Sequence, residues 1–182
     1  MRTTIALLLG GWLLGTLLMA GVATQNFFLI DRLLSSPATH PSFLKHAAQM
    51  PPGEARTVLR YFSSELNRYY FGAWAWIQLV LAVMVLALAV FELPQRKFFF
   101  GFSAMLGLVA VMLFYITPEI TQLGRSLDFV PREPPPPGLR RFGILHAAYS
   151  FLDLGKLLLG IWMAVAMVRT PGQTSPPSDA ES

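Results

Sequence analysis

Four stretches of this chain are long and apolar enough to cross a bilayer, and they leave few folds open. Ile5–Ile30 runs 26 residues without a charge, Phe71–Phe91 runs 21, Phe98–Ile116 runs 19 and Phe142–Val168 runs 27. At about 1.5 Å per residue each comes close to or exceeds a hydrocarbon core of about 30 Å. Backbone N–H and C=O groups find no water inside lipid, so each stretch must be helical. The expected fold is all-α, a polytopic membrane protein built as a four-transmembrane-helix bundle over residues 1–169. A disordered tail rich in Ser, Pro and acid is expected over 170–182. The first stretch shares features with a signal peptide: Arg2, an apolar run, then small residues at Gly21-Val22-Ala23. The run continues to Ile30, and this favours an uncleaved helix.

Charge is sparse. Only 13% of the residues are charged, against about 25% in soluble proteins. The net charge of +4 comes from 14 Lys and Arg against 10 Asp and Glu, and in such a chain it points to loops on anionic lipid. No basic run alternates with aromatics outside the apolar stretches, so no nucleic-acid partner is expected. The expected partner is membrane lipid, with a membrane-protein partner or a second copy of the chain as the other candidates. There is no cysteine, which excludes disulfides, thiol chemistry and cysteine metal sites. His40 and His46 lie in a loop without a partner at metal spacing, so no metal is expected. Nucleophile elbow, phosphate loop, zinc helix and paired catalytic carboxylates are all missing, so no catalytic residue is nominated.

The loops divide by composition. Asp31–Tyr70 is the longest, and Pro37, Pro41, Pro51 and Pro52 predict an irregular first half. In its second half Ala55, Val58, Leu59, Phe62 and Leu66 fall at helical spacing, which predicts a helical extension of the second span. The second hairpin is short, Glu92 to Lys97, and the third loop carries Pro134–Pro137, a stiff spacer. Gly11-Trp-Leu-Leu-Gly15 reads as a helix-packing motif. Four spans put both termini on one side of the membrane, expected to be the cell (inner) membrane. Nine basic residues on the opposite side against Arg2, Arg96, Lys97 and Arg169 argue for cytoplasmic loops. The charge density of the short hairpin and the positive start of the first helix argue for cytoplasmic termini, which is the orientation adopted.

The fourth span is the one carrying chemistry. At 100° per residue His146, Tyr149, Ser150, Asp153, Lys156 and Gly160 fall within an arc of about 120°. A polar stripe on an apolar helix must face the bundle or a wet cavity, because lipid cannot solvate it. Asp153 and Lys156 are three residues apart and can neutralise each other. The plain reading is a buried ion pair that sets helix register. The functional reading is a small polar pocket for a proton, a lipid or quinone headgroup, or a haem ligated by His146. Gln25 and Asn26, near the end of the first span, are the expected groups opposite the stripe.

Several motifs resemble the transmembrane-protein-205-like family, also catalogued as domain of unknown function 4149. They are Gly11-Trp12…Gly15 with Ala23-Thr-Gln-Asn-Phe27-Phe28, and Glu54-Ala55…Leu59-Arg60-Tyr61-Phe62 leading into Tyr69. Two more are Tyr115-Ile-Thr-Pro118-Glu-Ile120…Leu123-Gly-Arg125 and Arg141-Phe142-Gly-Ile-Leu145-His146…Ser150…Asp153. The resemblance runs from about Leu7 to Val168. It implies a four-helix integral membrane protein without an established activity. This chain departs from the pattern at Asp153, where the family would carry an amide, and at Lys156, where it would carry an apolar residue. The function expected overall is a non-enzymatic structural, lipid-binding or partner-binding bundle without a cofactor. The alternatives are a quinone- or haem-binding redox subunit and a small transporter or transporter accessory.

Overall fold

A computed structural model describes residues 2–170, all of whose regular structure is helical. The elements are α1 (Arg2–Ser35), α2 (Pro41–Ala48), α3 (Glu54–Glu92), α4 (Arg96–Val111), a π-helical turn (Met112–Ile116), α5 (Thr117–Ser126) and α6 (Leu139–Arg169). Since α4, the π turn and α5 run on as one rod, four helices are long and apolar enough to cross a membrane. Chain order gives an up-down-up-down bundle in which α1 packs on α3 and α6, and α4 closes the ring against α3 and α6. Beyond Thr170 the expected tail lies outside the described residues.

One helix outruns its apolar stretch, and one expectation from the sequence needs correcting. The helix that carries Phe98–Ile116 continues ten residues to Ser126. Pro118 lacks an N–H and would ordinarily break the ladder. Just before it the helix widens, with the Thr117 N–H bonded to the Met112 carbonyl five residues back, and it absorbs the proline. The first half of the long loop is not wholly irregular. Pro41 sits in the first turn of α2, where a missing N–H costs nothing, and the His40 ring accepts from the Ser42 N–H at 3.3 Å. The predicted extension of the second span is present: Glu54–Glu92 is one helix, about 58 Å long at 1.5 Å per residue.

The core is not spread evenly along the bundle. Its main cluster joins Ile5, Leu9 and Trp12 of α1 to Ala82, Val85 and Ala89 of α3. Leu93 after α3, Phe98, Phe102, Met105 and Val109 of α4 and Met163 and Met167 of α6 complete it. All of these lie in the half of the bundle that holds the chain termini. Three close approaches pin the helices. Gly101 meets Met163, Gly160 meets Leu13 and Met105, and Gly15 meets the Trp74 indole, so a Cβ at any of them would overlap the neighbouring side chain. Gly11 has open space around it, so only one glycine of the Gly11…Gly15 motif packs against a neighbouring helix.

Candidate functional site

Trp12, Gln78 and Lys156 stand at one level, 10, 13 and 13 residues from Arg2, Phe91 and Arg169. That is roughly 15–20 Å from the terminus-side boundary, the middle of a core about 30 Å thick. All three are buried, Lys156 to 1% exposure. The Lys156 ammonium donates to Asp153 Oδ1 at 2.6 Å and to Gln78 Oε1. The same Gln78 oxygen accepts the Trp12 indole N–H at 3.0 Å. One carbonyl thus joins α1, α3 and α6, and it accepts two donors that lipid could not satisfy. The Asp153 side chain keeps 23% exposure against 2% for Lys156, so the cation is the deeper member of the pair. The i, i+3 spacing on α6 already pointed to this pair. Gln78 left a fainter trace, as the one amide in 21 apolar residues of the second span.

Above this layer the stripe on α6 divides. Ser150 is exposed and turns its hydroxyl back to the His146 carbonyl at 3.0 Å. Tyr149 stays half-buried, edge-on to Phe71 with ring centroids 5.7 Å apart. His146 is exposed and stacks on Phe142 at 6.0 Å. Gln25 and Asn26 do not stand opposite the ion pair. Gln25 is exposed, while the Asn26 amide donates to Asn67 Oδ1 at 2.6 Å and its carbonyl accepts the Ser63 hydroxyl at 3.0 Å. Asn67 in turn donates to the Ala23 carbonyl at 3.1 Å, closing an amide clasp between α1 and α3. The reason is height. Asn26 lies 14 residues beyond Trp12, about 21 Å along the helix, so it sits level with the start of α6 instead of its middle.

At that upper level the helices part around a cleft of about 160 Å³ lined by Phe27 of α1, Ser64, Asn67, Arg68 and Phe71 of α3, Thr117, Ile120 and Thr121 of α5, and Phe142, His146 and Tyr149 of α6. All four spans contribute. Of the lining residues, Phe27 of α1 and His146 of α6 are exposed, so the cleft reaches the surface at these two helices. Two buried side-chain atoms among the described residues have no hydrogen-bond partner, Trp74 Nε1 and Thr117 Oγ1; of these, Thr117 lines the cleft. Thr117, just past the π turn, stands in the wall of this cleft and also of a neighbouring cavity lined by Gly72, Trp76 and Phe114.

Arg68 roofs the cleft, and its charge is fully engaged. Its guanidinium holds Asp128 by two parallel bonds of 2.7 and 3.0 Å and reaches Glu65 at 2.5 Å. Glu65 also takes Arg125 at 3.2 Å, while Arg141 bonds Glu119 at 2.6 Å. Arg125, Glu65, Arg68 and Asp128 sum to zero charge and tie α5 and the residues after it to α3. Arg68 and Arg125 were visible in the sequence as loop basic residues. Their partners, up to 60 positions away, had no local signal.

No protein-family model, curated protein or solved structure matches the chain.

Proposed function

We propose that this integral membrane protein is a non-enzymatic lipid-binding bundle whose site is the cleft between the loop-side ends of its helices. The observation that carries the reading is the Thr117 hydroxyl, buried without a partner in the wall of a cleft that opens between two spans. An unpaired buried polar group costs about 1–3 kcal/mol, which an acceptor bound beside Thr117 would recover. The setting supports it further. The cleft is about 15 Å above the midplane layer, at the depth where acyl chains meet headgroups. At 160 Å³ it falls below the roughly 300–1,000 Å³ of sites that engulf a drug-sized ligand, and it suits the head of an amphiphile whose tail remains in lipid. The midplane ion pair holds the register on which the cleft depends. Membership of the transmembrane-protein-205-like family belongs to the same proposal and rests on the motifs quoted above.

The test is mass spectrometry of the full chain released from native nanodiscs, set beside Ser64→Phe, which fills the cleft. One amphiphile retained near 1:1 by the parent and lost from the variant is the expected result. Bulk membrane composition in both, or equal retention, refutes the reading.

A further inference from the structure

Taking the cleft to be a lipid site, we infer that its ligand is an uncharged aromatic carbonyl headgroup, that of an isoprenoid quinone. Charge decides the first part. A phosphate or carboxylate head needs a free cation, and the one guanidinium in the cleft wall is bound by two carboxylates. Asp128 takes it by a bidentate pair and Glu65 by a third bond. With Arg125 the network has two positive and two negative members, so an incoming anion would have to break an ion pair and leave a carboxylate unpaired beside it. A neutral head meets no such penalty.

Shape and donors decide the rest. Phe27, Phe71, Phe142, His146 and Tyr149 set five rings around the space, a lining suited to a flat ring stacked or held edge-on. The volume of 160 Å³ is close to the about 150 Å³ of a cavity that admits benzene, and the exposed mouth lets a long chain trail into lipid. For a carbonyl oxygen the wall offers the unpartnered Thr117 hydroxyl. It also offers Tyr149, held through its ring by Phe71 and not through its hydroxyl, and His146, held likewise by Phe142. A glycerolipid head would use the hydroxyls but leave the aromatic wall without a matching partner.

The experiment is calorimetric titration of the full chain in phosphatidylcholine nanodiscs with a decyl-substituted benzoquinone, and separately with dioleoylglycerol. Saturable quinone binding is expected, weakened about 5- to 10-fold in Thr117→Val and again in Tyr149→Phe, the loss of one hydrogen bond each. Thr117→Ser restores it, and Ser150→Ala, on the outer face of α6, leaves it unchanged. Quinone binding that ignores both wall variants overturns the inference. Dioleoylglycerol binding as tightly, with the same response to the variants, overturns the quinone headgroup while leaving the cleft a lipid site. No saturable binding of either probe, together with no retained amphiphile in the nanodisc measurement, removes both.

Discussion

The Asp153–Lys156 pair allows a double-mutant cycle whose asymmetry comes from burial. Asp153→Asn leaves an ammonium of 2% side-chain exposure with only the neutral Gln78 carbonyl and an amide beside it. Breaking a buried pair in this way costs about 3–5 kcal/mol. Because the Gln78 oxygen still accepts from the ammonium, the lower end, about 3 kcal/mol, is expected. Lys156→Met leaves the opposite orphan, a carboxylate that is the less buried member of the pair at 23% side-chain exposure, and Gln78 keeps the Trp12 indole as its donor. That change should cost about 1–2 kcal/mol. With both changes no charge remains, and Met fills most of the lysine's space, so the double variant should lie within about 1 kcal/mol of the parent. The coupling is then about 4 kcal/mol in favour of the double variant. The assay is reversible unfolding in mixed micelles titrated with sodium dodecyl sulfate, followed by helical circular dichroism. Single effects that simply add would refute the reasoning, and so would Lys156→Met proving worse than Asp153→Asn.

Two further changes test the packing and the charged roof. Gly15→Ala drives a methyl into the Trp74 ring, whereas Gly11→Ala meets open space; the first should destabilise by about 1–3 kcal/mol and the second should be neutral or slightly stabilising in the same micelle titration. Arg68→Lys keeps the charge but cannot reproduce the two parallel bonds to Asp128. It should cost about 1–2 kcal/mol and speed amide exchange over α5, whereas exchange matching the parent would show that the fork contributes nothing.

The fourth helix shows how far local reading reaches. Asp153 and Lys156 could be paired from their spacing alone, because a helix fixes the relation of residues three apart whatever surrounds it. Ser150 falls in the same arc yet lies outside the bundle. An arc of 120° is wider than the face that α1, α4 and α5 cover, and only the neighbours decide where its edge falls. Pro118 by itself would break a helix, and the π turn that carries the helix past it depends on packing of Met112, Leu113 and Ile116, all buried.

What the sequence determined by itself is the membrane, the four spans and their all-helical state, since lipid demands internal hydrogen bonding of any apolar stretch about 20 residues long. Tertiary structure alone decided which polar groups meet. Gln78 finds Trp12 and Lys156 across separations of 66 and 78 residues, and Arg68 finds Asp128 across 60. Such contacts depend on how each helix is rotated about its axis and how far it slides along its neighbours. Hydropathy, which is nearly uniform around and along these helices, does not encode either quantity. The cleft is the clearest case. Its lining comes from all four spans, beyond the main packed cluster in the terminus-side half of the bundle, and no single segment carries that information.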